Sequence, residues 1–172
     1  VCTGLSKAVW LNEVLVPMNG LSTREFSEAR TFFHDTLKIN HRLIHVDMPH
    51  NLGALSYASN IPADLIQSGK GLNVWAALGI HYAERTGGIL AFQDADVVSF
   101  NRSILARMCL ACAKPEWGFD FVKMYYSRAT DRLYGRVSRL FLSPLLHALI
   151  EVCGHHPLLD FLRGFRYPLS GE

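Results

Sequence analysis

Hydrophobic and polar positions change period several times along the chain, and each change marks an element. Leu11 to Gly20 reads as a strand closing in a turn. Ser22 with Glu25 three residues on forms a capping box. The helix it opens runs to about Leu37, with Phe26, Ala29, Phe33 and Leu37 on one face. Arg42 to Val46 is a second strand, and the order strand, helix, strand predicts a parallel sheet. From Met48 to Ser68 no period holds, and Pro49, Asn51, Gly53, Asn60 and Pro62 punctuate what reads as a long loop. A helix opens at Gly69-Lys70-Gly71 and runs to about Arg85. Gly88 to Phe92 is a short apolar run without helical period, the pattern of a strand buried on both faces inside a parallel sheet. Phe100-Asn101-Arg102 leads into a helix from about Ser103 to Ala113, ended by Pro115 and Gly118. Phe119 to Ser127 alternates imperfectly and reads as an aromatic strand, and Asp131 to Leu142 reads as helical. Ser143 as N-cap before Pro144 starts a further helix that stops at Gly154, and a short one follows to Leu162.

The chemistry concentrates where the apolar run at Gly88 ends in Asp94-Ala95-Asp96. Carboxylates are tolerated at the carboxyl end of a buried strand, where open α/β sheets bind ligands. Two acids two apart can hold a hard divalent ion, Mg²⁺ or Mn²⁺, with a diphosphate filling the remaining positions. The triplet alone fits a helix N-cap beside a turn acid equally well. Gly69, Lys70 and Gly71 at a helix start suit an anion, because free N–H groups and the helix dipole point at it. Arg132, Arg136 and Arg139 share one helix face, which serves either as a solvated surface or as a clamp for phosphate or carboxylate. His45 and His50 read as surface residues. Cys109 and Cys112 form a C-x-x-C inside a helical pattern, which favours buried thiols over zinc or redox chemistry.

Composition narrows the classes. The chain has 172 residues, 49% hydrophobic and 19% charged, enough for one domain with a real core. A net charge of +2 excludes general nucleic-acid binding. Residues 120–139 nevertheless carry a local +3, which implies a small anionic ligand. No stretch of about 18 apolar residues exists, so no membrane span is expected, and no secretory signal is visible. Four cysteines make no disulfide framework, so the expected setting is the cytoplasm. The chain starts at Val1 rather than a methionine and stops in a Pro/Gly turn, so both ends read as cuts from a longer protein.

Four blocks occur in one order: G-K-G-L-N-V-W, Q-D-A-D-V-V-S-F, F-D-F-V-K-M-Y-Y-S-R-A-T-D-R-L-Y-G-R-V-S-R-L and F-R-Y-P-L-S-G-E. Together, over about Leu11 to Glu172, the chain resembles the glucosyl-3-phosphoglycerate synthases. These are retaining GT-A glycosyltransferases that move a sugar from a nucleotide donor to 3-phosphoglycerate. The resemblance implies an α/β, partial GT-A (Rossmann-like) fold, a mainly parallel sheet flanked by helices with a helical C-terminal acceptor part. Residues 1–172 then form a single domain, with a donor and metal half at about 11–100 and an acceptor half at about 101–172. Asp94 and Asp96 would be the metal-binding pair for Mg²⁺ or Mn²⁺. Gly69, Lys70, Gly71 and Asp94 would contact the nucleotide-sugar donor. Gly135, Arg136 and Ser138 would hold the 3-phosphoglycerate acceptor; the family often carries threonine where Ser138 stands. No residue presents itself as a catalytic nucleophile. The family's first strand and a later metal-ligating histidine have no counterpart in these residues, and His155 and His156 precede the last block. The alternatives are a mannosyl-3-phosphoglycerate synthase or other sugar transferase, or an inactive fragment that binds phosphorylated acids. A missing sheet strand would leave an unpaired edge, so a homo-oligomer, a dimer, is expected.

Overall fold

The structure is a computed structural model that describes residues 1–84, 87–124 and 137–164. It divides into two compact units, Val1–Lys114 and Pro115–Glu172.

The first unit is built on two parallel strands. Strand β1 (Val14–Met18) pairs with β2 (His41–His45), Val14 lying opposite His41 and Met18 opposite His45. The connection between them is the helix that follows the capping box. The short helix α1 (Cys2–Leu5) precedes β1, and α2 (Thr23–Thr36) links the strands. Ser22 Oγ accepts from the Glu25 amide, and Glu25 Oε2 accepts from the Ser22 amide at 2.8 Å, so two orphan donors of the helix start are satisfied reciprocally. The protected face of α2 is the one its periodicity predicts, and it ends in buried Leu37. Leu37 packs with Leu5 and Leu105, joined by Val14, Phe33, Ala91 and Phe100.

A second cluster gathers Val46, Leu72 and Ala76, with Leu52, Leu55, Ile66 and Trp75 against it. Here the structure corrects the long loop expected from Met48 to Ser68. Helix α3 spans Pro49–Ser59, and a 3₁₀ turn follows at Ala63–Leu65. The signals are local: Met48 is extended, Pro49 takes the first helical turn, and Asn60 ends the helix in the left-handed region at φ 57°. Its apolar stripe is diluted by Gly53 and by small residues, so the 3.6-residue period is weak. Packing of Leu52 and Leu55 on Val46 and Leu72 holds the helix instead.

Helix α4 (Lys70–Glu84) packs beside β1 and runs opposite to the strands. Its start is tied to the end of β1: Asn19 Nδ2 donates to Gly69 O and to Asn73 Oδ1, each at 2.7 Å. Its end is tied to the beginning of β2: Arg42 donates in a fork to Glu84 at 2.5 and 3.0 Å, and also to Glu13 at 2.9 Å. The hydrogen bonds to Glu84 and Glu13 keep Arg42 charged, and Arg42 holds the Glu84 carboxyl below its usual range. Helix α5 (Arg102–Ala113) is capped by Asn101, whose side chain accepts from the Ser103 amide.

Two expected strands are not formed. Gly88 to Gln93 belongs to no strand, Ala95 and Asp96 lie in a turn, and among the described residues the sheet has two strands, not more. Gly87 and Gly88 turn the chain with φ of 65° and 84°, and Ile89 and Phe92 remain 43% and 46% exposed. Ala91 alone of this run joins the Leu5–Leu37–Leu105 cluster. An apolar run that docks by one side has the same periodicity as a buried strand, and only a partner ladder tells them apart. Residues 119–124 likewise form no strand, with Phe119 and Phe121 exposed; Tyr125 to Ser127 lie outside the described residues.

In the second unit a 3₁₀ turn at Pro115–Trp117 is followed, among the described residues, by a π-helical segment at Val137–Leu142. Helix α6 (Ser143–Cys153) packs against that segment and against α7 (Pro157–Gly164). Ser143 is a helical residue rather than the expected N-cap, because Leu142 is already right-handed helical and the π segment runs straight into α6. Leu146 and Ile150, four apart on one face of α6, are buried.

The Arg42–Glu84 fork carries a pH signature. A carboxylate held below its ordinary 4.5 by a partner present only in the folded chain contributes stability above that value. The contribution fades as the pH falls through the lowered folded value. Denaturant unfolding followed from pH 7 downwards should therefore show a shallower acid decline in Glu84→Gln than in wild type. Parallel acid limbs for the two proteins would contradict the fork.

Candidate functional site

The carboxyl ends of β1 and β2 and the start of α4 converge on one set of polar side chains. Asn19, just past β1, holds Gly69 and Asn73. The next residue, Gly20, donates its amide to Asp47 Oδ2 at 2.7 Å, joining the turn after β1 to the turn after β2. His45 ends β2; its Nε2 donates to Leu21 O at 2.9 Å, and its ring stacks on Phe26 with centroids 4.6 Å apart. Thus His45 is a packed, hydrogen-bonded residue and not the surface histidine expected of it, whereas His50 is exposed. Asp47 Oδ1 lies 3.1 Å from the same His45 nitrogen, yet it is buried without a hydrogen-bond partner, since that N–H is given to Leu21.

Lys70, the first residue of α4, reaches out of this frame to the acidic run. Its Nζ donates to Asp94 Oδ1 at 2.5 Å, across 24 positions of sequence. Asp96 is exposed two residues further on. Gly69 stands at φ 148°, which side-chain-bearing residues rarely adopt, so glycine is needed for the chain to enter α4 in this direction. A Cβ added at Gly71 would meet nothing within 4 Å, so the flank of the first helical turn is open at that position. Of the predicted donor and metal residues, Gly69, Lys70, Gly71 and Asp94 come together here, and Asp96 adjoins them.

Two carboxylates suit a hard divalent cation, and the Lys70 ammonium shows that positive charge is accommodated on Asp94. Among the described residues no group of three or more histidine, cysteine, aspartate or glutamate side chains gathers. Asp94 and Asp96 offer carboxylate oxygens of the kind Mg²⁺ or Mn²⁺ takes, and two such residues fall short of a complete ligand set.

The predicted acceptor residues are divided. Ser138 is buried in the π-helical segment. Gly135 and Arg136 lie outside the described residues, as do Tyr125, Tyr126, Asp131 and Arg132; Arg139 is exposed. Sequence reasoning missed Asn19 and Asn73, the pair that anchors the helix start. The one available signal was Asn19-Gly20, which reads first as a turn.

An α/β chain with parallel strands, an anion-ready helix start and a paired lysine and aspartate at that start is the class these residues define. Sequence comparison is more specific. The chain is 42% identical over 104 residues to a glucosyl-3-phosphoglycerate synthase of Persephonella marina, covering 60% of this chain and 26% of that protein. Over its whole length it is 30% identical to a glucosyl-3-phosphoglycerate synthase of Methanococcoides burtonii, covering 43% of that protein. The chain is thus similar to the glucosyl-3-phosphoglycerate synthases, and spans less than half the length of these relatives. No family model matches it. No solved structure matches it either. Among the described residues no helix is long and apolar enough to cross a membrane.

The C-x-x-C of α5 behaves as packed thiols. Cys109 and Cys112 are half-buried and free, and Cys109 touches the Leu5–Leu37–Leu105 cluster. Burial, and secondarily Cys112, pushes the Cys109 thiol above its usual range. Exposed Cys153 should accordingly alkylate first with iodoacetamide at pH 8, and Cys109 much later, as read by peptide mass mapping. Cys109 labelling ahead of Cys153 would overturn this reading of α5.

Proposed function

We propose that this chain is part of a retaining GT-A glycosyltransferase that transfers a sugar, glucose, from a nucleotide-sugar donor to 3-phosphoglycerate. The observation that carries the reading is the meeting of Lys70 with Asp94 at the start of α4, in a chain similar to two glucosyl-3-phosphoglycerate synthases. Gly69, Lys70 and Gly71 receive the donor diphosphate, where the helix dipole and the lysine favour negative charge. Asp94 and Asp96 would hold Mg²⁺ or Mn²⁺, which would supply positive charge for a leaving diphosphate. Lys70 adds a charge-assisted hydrogen bond to the same group. The acceptor hydroxyl then bonds to the anomeric carbon from the face on which the carbon–oxygen bond to the diphosphate breaks, its proton passing to the departing diphosphate oxygen, which keeps the anomeric configuration. The rate comes from positioning and electrostatics.

Gly135, Arg136 and Ser138 hold the phosphate and carboxylate of 3-phosphoglycerate, with residues 1–172 forming one domain whose acceptor half begins at about 101. Arg136 supplies a planar fork matched to phosphate. Exposed Val137, Leu140, Phe141 and Phe161 in the second unit supply apolar surface for a dimer. The setting is the cytoplasm, with no nucleic acid or membrane as partner.

Two measurements on this chain test the proposal. Product analysis with a panel of sugar nucleotides and 3-phosphoglycerate should yield the glucosyl product; a mannosyl product, or none, would refute the donor assignment. Affinity for 3-phosphoglycerate at fixed ionic strength should fall about ten- to a hundredfold in Arg136→Ala, the scale of a charge-assisted contact. Arg136→Lys should recover only part of it. Both variants binding within about twofold of wild type, the change expected of a surface arginine, would place the acceptor elsewhere.

A further inference from the structure

Lys70 and Asp94 raise a question of occupancy. The carboxylate oxygen that a divalent cation would take already has an ammonium 2.5 Å away. Both side chains are reachable: Lys70 is 75% exposed and Asp94 31%. The backbone below Lys70 is fixed, since Asn19 grips both Gly69 and Asn73. Only the flexible stem of the lysine is free to move. Gly71, in the same first turn, has an open flank, and a helix start favours an anion.

We infer that Lys70 is an exchangeable counter-ion. Without ligand it neutralises Asp94; when a divalent cation takes that carboxylate, the ammonium transfers to the diphosphate that arrives with it. This rests on the reading that Asp94 and Asp96 hold the metal, and goes beyond it by assigning Lys70 opposite roles in the two states. Metal alone must displace an ammonium and leave it unpaired, so it binds weakly. Diphosphate supplies the displaced ammonium with a new partner. Metal and diphosphate therefore bind cooperatively, each raising the affinity of the other by the same factor. A lysine that served only to bind diphosphate would leave metal binding untouched. A lysine that served only to brace the fold would move both affinities in one direction.

The test uses Mn²⁺ alone and Mn²⁺ with inorganic pyrophosphate, on wild type, Lys70→Gln, Lys70→Arg and Asp94→Asn. Loss of the free-ion electron paramagnetic resonance signal reports bound Mn²⁺. Lys70→Gln should bind Mn²⁺ about two- to fivefold more tightly than wild type, the range that a solvent-exposed ion pair supports. Lys70→Arg, which keeps the counter-ion, should stay near wild type. Pyrophosphate affinity at saturating Mn²⁺, by equilibrium dialysis, should move the other way, with Lys70→Gln losing about tenfold or more. Asp94→Asn should lose Mn²⁺ binding. If Asp94→Asn loses Mn²⁺ while Lys70→Gln binds it no more tightly than wild type, the exchange is wrong and the metal site stands. If Asp94→Asn binds Mn²⁺ as wild type does, or no variant binds it, the metal site fails and the exchange fails with it.

Discussion

The two-ended anchoring of helix α4 is the constraint on which the candidate site depends. At its start one side-chain amide, that of Asn19, holds both the carbonyl before the helix and the side chain of Asn73. At its end the Arg42 fork holds Glu84. Between them Leu72 and Ala76 are buried against Val46, just past β2. A helix fixed in this way cannot slide along the sheet, so Lys70 emerges beside the carboxyl ends of both strands. The strand ends are themselves joined through Gly20 and Asp47. Few residues are spent on this frame, and each connects elements remote in sequence.

Local chemistry was legible in the sequence, and long-range pairing was not. The Ser22–Glu25 box and the Gly154 stop each lie within a few residues of the element they bound, and both were read correctly. β1 and β2 followed from the order strand, helix, strand. Helix α3 escaped notice because its apolar residues do not recur with a clean period; its stability comes from docking on Val46 and Leu72. The run from Gly88 to Asp96 misled for the converse reason. It has the composition of a buried strand, but among the described residues no neighbouring strand offers it a ladder.

The candidate site divides along the same line. Lys70 and Asp94 were each singled out on separate grounds, one for a helix start and the other for an acid pair. Nothing in their spacing brings them within hydrogen-bonding distance; that proximity is a product of the fold. Asn19 was invisible as an anchor, because an Asn-Gly pair is explained by the turn it makes. The sequence comparisons bear out the resemblance read from the four sequence blocks, since the relatives they find are named glucosyl-3-phosphoglycerate synthases.

The central claim is that the start of α4 and the Asp94–Asp96 run form one site for a cation and a diphosphate. Paramagnetic broadening tests it most directly, because Mn²⁺ relaxes the amide signals nearest to it. Two-dimensional amide spectra of the full chain should be recorded with substoichiometric Mn²⁺ and pyrophosphate, against Mg²⁺ as the diamagnetic control. The account predicts that Lys70, Gly71, Asp94 and Asp96 broaden together and ahead of all other described residues. Sharp signals at those four, with broadening centred instead on the exposed His155–Asp160 pair, would contradict it.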